Sequence, residues 1–382
     1  MAFDARGTGG QSANGFSMET CLPEGDPIAA GTRRATPVGL AYAPLATPAP
    51  GQAVEAAPGV LWLRFTLPLA LNHINVWAIR DGDGWTVVDT GLGLPDTIEA
   101  WEAALAGPLQ GRPVTRLICT HMHPDHLGLA GWLCERFQAP LLMSRLEYVT
   151  ARMLLADVGP APEPGVAFYR AAGWSDEQLD GYRERYGLFG KAVRPMPAAF
   201  TRLNEDDRIV IGDDVWRVIV GSGHSPEHVC LLRESDDLFI AGDQLLPRIS
   251  SNISVWPTEP GADPLKDWLE SLEALKGRIP SGALVLPSHG EPFRGAHERL
   301  NALLRGHDVA LRRLERTLAE PKRAVDVFPS LFGRSVDEGV LGMATGEAVA
   351  HLNHLEAQGR IARLRDGDGV DWWRRVETGE SQ

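Results

Sequence analysis

With 382 residues and 37 Lys and Arg against 50 Asp and Glu, the chain carries a formal net charge of −13, which disfavours binding to nucleic acid or to an anionic membrane. The length allows one large domain and a smaller one, and the 44% hydrophobic content is typical of a soluble globular protein. No apolar run reaches the roughly 18 residues that a membrane-spanning helix needs. The N-terminus lacks the pattern of a signal peptide and the four cysteines lack CxxC spacing, so we expect a cytoplasmic protein without a disulfide scaffold.

The first 58 residues differ in composition from those that follow. Residues 1–58 are rich in Gly, Ala, Pro and Thr and show no sustained hydrophobic periodicity, which predicts a loosely ordered arm. From residue 59 onward apolar segments of strand length alternate with turns, and the Asp-Gly-Asp-Gly sequence at 81–84 is typical of a hairpin turn. This order predicts two sheets between layers of helices. The predicted segments are strands 60–67, 74–79 and 85–88 and helix 95–106.

The segment 120–128, Thr-His-Met-His-Pro-Asp-His-Leu-Gly, follows the apolar strand 114–119 and concentrates metal-binding side chains. Three imidazoles and one carboxylate lie within six positions. Neutral imidazole and carboxylate together suit zinc, iron or manganese. A strand that ends in a turn is a place where such ligands converge. The segment therefore predicts a metal site with the candidate ligands His121, His123, Asp125 and His126.

Three later strands also end in a turn of small residues that carries one ligand-type side chain. Strand 215–220 leads to Gly-Ser-Gly-His, strand 238–241 to Gly-Asp and strand 283–286 to Pro-Ser-His-Gly. Because these turns repeat the arrangement of the first motif, we expect them to meet it at one site. They add three candidate ligands, His224, Asp243 and His289, and bring the set to seven.

The motif HxHxDH at 121–126, followed in order by His224, Asp243 and His289, resembles the metallo-β-lactamase superfamily. An Asp-Thr-Gly turn at 89–91 looks like the end of the family's early strand. The resemblance runs from about residue 59 to 294, and within the superfamily the chain resembles the glyoxalase-II-like, β-lactamase-like branch. It implies an α+β fold, the αββα sandwich, for a catalytic domain over 59–294.

The resemblance also implies a dinuclear metal site. One divalent ion would be held by His121, His123 and His224, and Asp243 would bridge to the second ion. The second ion would be held by Asp125, His126 and His289. Zinc is the expected metal, with iron or manganese as alternatives, and a hydroxide bridging the two ions would be the nucleophile.

Other side chains near these motifs have more than one interpretation. Asp89 either supports a metal ligand or caps its own turn. His228, four residues after His224, either supports the ligands or donates a proton to a leaving group. Together with Asp125 of the first motif, it is a candidate catalytic residue. The loop after Asp243 offers Arg248 and Asn252 as candidate substrate contacts.

Two further segments extend the catalytic domain. Residues 145–200 are helical in pattern and rich in aromatic side chains, and they either pack on the core or cover the metals. Residues 295–382 show a long helix, two shorter helices and a hairpin, which resembles the winged-helix module at the C-terminus of β-lactamase-like hydrolases. Acidic and basic residues alternate in this module, so packing or a homodimer is predicted rather than nucleic-acid contact.

The resemblance thus implies a dinuclear metal-dependent hydrolase, and its glyoxalase-II-like branch implies a small-molecule acyl thioester or related ester as the substrate. One alternative is a winged-helix endoribonuclease that uses the same metals, which the net charge disfavours. Another is a mononuclear iron persulfide dioxygenase, which the complete second ligand set disfavours. A binding protein with a vestigial site is disfavoured because no ligand is missing.

Overall fold

The computed structural model describes residues 39–68, 71–332 and 335–376, which form two seven-stranded sheets, a separate two-stranded hairpin and the helices that cover them. The strands in chain order are β1 (Ala41–Tyr42), β2 (Ala53–Ala57), β3 (Val60–Thr66), β4 (His73–Asp81), β5 (Gly84–Val88), β6 (Val114–Ile118), β7 (Leu141–Met143), β8 (Thr201–Arg202), β9 (Arg208–Ile211), β10 (Asp214–Gly221), β11 (His228–Arg233), β12 (Leu238–Gly242), β13 (Leu284–Pro287), β14 (Phe293–Arg294), β15 (Ile361–Arg365) and β16 (Asp371–Arg375). The helices are α1 (Pro95–Ala106), α2 (Pro124–Leu127), α3 (Ala130–Phe137), α4 (Arg145–Ala156), α5 (Glu163–Ala172), α6 (Asp176–Arg185), α7 (Phe189–Ala192), α8 (Pro264–Arg278), α9 (Ala296–Thr317), α10 (Phe328–Phe332) and α11 (Leu341–Ala357).

The two large sheets pack face to face. The first has the order β2-β3-β4-β5-β6-β7-β8 and the second the order β1-β14-β13-β12-β11-β10-β9. Successive side chains of a strand point to opposite faces, so Trp62 and Trp77 enter the core between the sheets while Leu63 and Val76 enter the core under the helices of the first sheet. Helices cover both outer faces. The predicted α+β fold, an αββα sandwich, is therefore confirmed.

The predicted arm needs a correction in its described part. β1 pairs with β14 and β2 pairs with β3, so residues of the supposed arm form an edge strand of each sheet. Their composition gives a weak local signal, because such short strands owe their conformation to the neighbour with which they pair. Residues 1–38, the rest of the predicted arm, lie outside the described residues.

The middle of the helical insertion packs aromatic side chains against the C-terminal helices. The indole Nε1 of Trp174 donates to Thr345 Oγ1 of α11 at 2.9 Å, and the rings of Trp174 and Tyr169 lie 4.3 Å apart. Both side chains are buried in the hydrophobic core that α8, α9 and α11 share. These contacts agree with the packing interpretation of residues 145–200.

The C-terminal residues follow the predicted order of helices and hairpin. α9 is followed by a 3-10 turn (Ala324–Val327), α10, α11 and the antiparallel pair β15–β16. α11 is buried along most of its length. Among the described helices, none combines the length and the apolar composition needed to cross a membrane.

Candidate metal centre

The turns at one end of the strands in both sheets bring all seven predicted ligands together. The first sheet delivers the 121–126 segment after β6, and the second sheet delivers the turns after β10, β12 and β13. The ligand atoms fall into two groups, and within each group they lie within 4.8 Å of one another. The first group is His121, His123, His224 and Asp243, and the second is Asp125, His126 and His289.

Glycines in two of these turns allow buried side chains to pack directly against the backbone next to the candidate ligands. Gly242 has φ +53°, and a Cβ there would lie 2.3 Å from Cε1 of His228. Gly223 has φ +99°, and its Cβ would lie 2.4 Å from Cβ of Trp268. Both conformations favour glycine and both spaces exclude a side chain. The small residues before His224 and Asp243 are thus required by packing.

Asp243 faces both groups with different oxygens. Its Oδ2 lies 3.4 Å from Nε2 of His224, while its Oδ1 lies 3.4 Å from Nε2 of His289 and 3.6 Å from Nε2 of His126. Oδ2 of Asp125 lies 3.5 Å from Nε2 of His289. One carboxylate therefore joins the two groups, as expected for a side chain that bridges two ions.

The residues present fit metal ions. Nitrogen ligands about 2.1 Å from a tetrahedral ion lie about 3.4 Å from each other, and Nε2 of His121 lies 3.2 Å from Nε2 of His224 and 2.8 Å from Nδ1 of His123. Buried Nε2 of His126 and Oδ1 of Asp243 have no hydrogen-bond partner among the described residues. Buried polar atoms are seldom left unpaired, so these atoms favour a ligand between them.

In three of the histidines, the ring nitrogen that faces away from the other ligands donates to an acceptor on the protein. Nδ1 of His126 donates to Oδ2 of Asp89 at 2.8 Å, Nδ1 of His224 donates to the carbonyl of Asn252 at 2.8 Å, and Nδ1 of His289 donates to the carbonyl of His73 at 2.7 Å. With the proton fixed on Nδ1, Nε2 presents its lone pair to the site. This is how proteins orient histidine as a metal ligand.

The electrostatic surroundings divide the histidines into two kinds. Burial, with the neighbouring imidazoles, holds the pKa of His121 and His123 well below the usual value, which keeps them in the neutral form that binds metals. Burial also opposes the charge of His126 and His289, but the carboxylates of Asp125 and Asp243 outweigh it and raise both pKa values. In the absence of metal, these two imidazoles therefore take up a proton more readily than usual.

Asp89 supports the ligands, in agreement with one of its two predicted roles. It is 1% exposed, and its carboxylate accepts hydrogen bonds from the backbone N and Oγ1 of Thr120 as well as from His126. It also lies at φ +65°, at the turn after β5. One side chain thus fixes both the strand end before His121 and the ring of His126.

Replacing Asp89 with Asn tests this role, and Asn is the choice because it tolerates a positive φ. The amide keeps one acceptor oxygen but turns its NH2 toward a donor, so we expect metal affinity at the second group to fall by about 10- to 100-fold. Competition with a chromophoric chelator measures the affinity. Asp81→Asn is the matched control, since Asp81 accepts from Thr86, Thr115 and Arg116 on the same sheet away from the site. Unchanged affinity in Asp89→Asn would contradict the assignment.

The position of His228 favours ligand support over proton donation. The side chain is fully buried, its Nε2 accepts a hydrogen bond from the backbone N of Asp243 at 3.0 Å, and burial lowers its pKa to about 3. A neutral imidazole whose Nε2 is engaged in this way holds the strand end that carries Asp243.

Sequence reasoning missed one buried side chain, Glu147, that holds two parts of the site together. Glu147 of α4 accepts from the backbone N of Met122 at 2.9 Å and of Glu227 at 2.8 Å. Its carboxylate therefore ties the first motif to the loop of His224. The link gave no sequence signal, because the atoms it joins lie up to 80 positions apart.

The two predicted substrate contacts have protein partners. Arg248 is exposed, and its Nε donates to the hydroxyl of Tyr42 at 3.0 Å. Asn252 is 9% exposed, and its side chain donates to Glu347 at 2.8 Å while its carbonyl accepts from His224. Asn252 thus contacts the candidate ligand His224 on one side and α11 on the other.

Comparison with known proteins agrees with this geometry. Residues 70–289 match the family described as the Metallo-beta-lactamase superfamily, which is more than half of the chain. The chain belongs to the metallo-beta-lactamase superfamily. Residues 311–376 match a second family, described as the Metallo-beta-lactamase-like, C-terminal domain.

Relatives within the superfamily include solved structures and named enzymes. A crystal structure of a beta-lactamase domain protein from Burkholderia ambifaria is 39% identical with a TM-score of 0.81, over 88% of this chain and 98% of that one. Acyl-coenzyme A thioesterase MBLAC2 of Gallus gallus is 29% identical over 64% of this chain and 82% of its own. Atrochrysone carboxyl ACP thioesterase of Emericella nidulans is 22% identical over 78% of this chain and 79% of its own. The superfamily and the clusters suitable for two metals support a metal-dependent hydrolase.

Proposed function

We propose that the protein is a dinuclear zinc hydrolase that cleaves acyl thioesters. The observation that carries the proposal is the shared carboxylate of Asp243, whose two oxygens face separate groups of imidazole and carboxylate ligands. His121, His123 and His224 would hold one ion, Asp125, His126 and His289 the other, and Asp243 both. Imidazole and carboxylate ligands at these spacings suit zinc.

Two bound zinc ions would supply a water of lowered pKa and positive charge facing the oxygen that becomes negative during acyl transfer. The protein's own contribution is to hold the ligands in place. Asp89 keeps the proton of His126 on Nδ1, and His228 fixes the backbone of Asp243. These contacts preorganise the site, so little rearrangement is needed when the substrate binds.

The choice of a thioester rests on the relatives. Two curated proteins that match most of their own length to this chain are named as thioesterases, one for acyl-coenzyme A and one for an acyl carrier protein. Both names describe an acyl group on a thiol carrier. We therefore propose a thioester substrate in preference to an oxygen ester.

Burial and charge pairing in the C-terminal module argue against an RNA substrate. The helix that would enter a nucleic-acid groove in a winged helix is α11, and it is buried among its neighbours. In the hairpin, Arg365 pairs with Asp371 at 2.6 Å and Arg363 pairs with Glu356 at 3.2 Å. Arginines that are paired within the module contribute less to a basic surface.

The test assays acyl-CoA and acyl-glutathione thioesters beside labelled RNA, with elemental analysis of the purified protein. We expect two zinc ions per chain, thioester hydrolysis, and RNA binding that fades between about 50 and 200 mM salt because it rests on released counterions. Tight RNA binding at physiological salt, with metal-dependent cleavage that Asp125→Ala abolishes, would establish the ribonuclease alternative. A single iron per chain under metal-replete conditions would establish the dioxygenase alternative.

A further inference from the structure

The loop that follows Asp243 is held in place by the C-terminal helices. Arg299 of α9 donates to the carbonyl of Leu246 at 2.6 Å and to that of Ile249 at 2.7 Å. Further along, the backbone N of Val255 donates to the carbonyl of Gly346 on α11 at 3.1 Å. The loop is thus anchored at both ends to helices outside the two sheets.

Between these anchors the loop touches a metal ligand. The carbonyl of Asn252 accepts from Nδ1 of His224 at 2.8 Å, so the position of this one backbone oxygen sets the orientation of the His224 ring. The side chain of Asn252 points the other way. Its Nδ2 donates to Oε2 of Glu347 at 2.8 Å, and its Oδ1 accepts from Oγ of Ser254 at 2.6 Å.

Glu347 is buried where a carboxylate is costly. It is 8% exposed, and burial raises its pKa to about 8 despite the hydrogen bond from Asn252. The residue before it is Gly346, where a Cβ would lie 2.7 Å from Oγ of Ser254. The first turns of α11 are therefore shaped to receive the 252–255 loop at close range.

We propose that Glu347 is a positioning residue of the metal centre. It fixes Asn252, and the Asn252 carbonyl in turn fixes the ring of His224 by accepting from its Nδ1, so a side chain of the C-terminal domain sets the affinity of the first metal group. The inference rests on the proposed metal function but is independent of the substrate, because its readout is metal binding.

The main variant is Glu347→Ala, which removes the acceptor and leaves the buried NH2 of Asn252 without it. We expect its affinity for zinc at the first group to fall by about 10- to 100-fold, the usual effect of removing a group that orients a ligand. Glu347→Gln keeps an acceptor for Asn252 in nearly the same volume, so it should keep an affinity close to that of the unmodified protein. The affinity is measured on the full chain by competition with a chromophoric chelator.

A matched control lies on the same helix. Asn353 is 7% exposed and donates to the carbonyls of Pro260 and Ala262, which hold no metal ligand. Asn353→Ala should lower the melting temperature and leave zinc affinity unchanged. The visible spectrum of the cobalt-substituted protein provides a second readout, which we expect to change in Glu347→Ala and to be unchanged in Asn353→Ala.

The outcomes separate this inference from the proposed function. If Glu347→Ala loses only thermal stability, as Asn353→Ala does, with zinc affinity and cobalt spectrum unchanged, Glu347 is a structural residue and the inference is wrong. If Glu347→Gln loses affinity as fully as Glu347→Ala, the hydrogen bond to Asn252 is not the cause and the inference also fails. If the unmodified protein binds no zinc, the proposed function itself falls.

Discussion

Asp243→Asn is expected to lose most of the hydrolytic activity while the fold is kept. The amide carries no negative charge and presents one acceptor oxygen, so it cannot serve both groups of ligands as the carboxylate of Asp243 does. We expect kcat/KM to fall by at least about 100-fold, which corresponds to about 2.7 kcal/mol of transition-state stabilisation. Kinetics on the preferred thioester, together with metal content and circular dichroism, measure the effect.

A control for this substitution is Asp368→Asn in the turn between β15 and β16, where the side chain is exposed. It makes the same chemical change away from the site and should leave kcat/KM unchanged. Activity near that of the unmodified protein in Asp243→Asn, with both metals bound, would show that Asp243 does not bridge.

Removal of the metals is expected to abolish activity and to lower the melting temperature. A ligand that binds only the folded state stabilises it by about 2.7 kcal/mol per site when its free concentration is 100 times Kd. Metal loss would also remove positive charge from the buried cluster that contains the carboxylates of Asp125 and Asp243. Dialysis against a chelator followed by thermal unfolding measures the loss.

Zinc added back to the stripped protein provides the control for irreversible damage. It should restore both the activity and the melting temperature, whereas magnesium should restore neither, since it prefers oxygen ligands over imidazole. A stripped protein that melts at the original temperature would mean that the seven side chains do not hold metal in the folded chain.

The sequence predicted which side chains come together at the candidate metal centre, because each signal was local. A buried strand, a turn of small residues and one ligand-type side chain occur together within about ten positions. The fold then places the ends of these strands side by side. The helix α1 was also predicted with its observed bounds, since Pro95 marks its first residue.

What the sequence did not predict depends on partners that lie far apart along the chain. The Asn252–Glu347 hydrogen bond joins positions 95 apart, and the contact of His289 with the His73 carbonyl joins positions 216 apart. Neither pair has a periodicity or a turn to mark it. The helix α8 is different, because Asp263 at its N-cap and Pro264 at its first position are local signals of a helix start.

The hydrogen bond between Trp174 and Thr345 limits which segments of this protein can be exchanged or deleted independently. The insertion at 145–200 and the C-terminal helices are separate along the sequence, yet α5 and α6 of the insertion and the C-terminal helices bury side chains in one shared core. Transfer of either segment alone into a relative would expose Tyr169 and Trp174 or the face of α11 that covers them. Chimaeras built from this family must therefore exchange the two segments as a pair, and a natural lineage that loses one of them is expected to have changed the other.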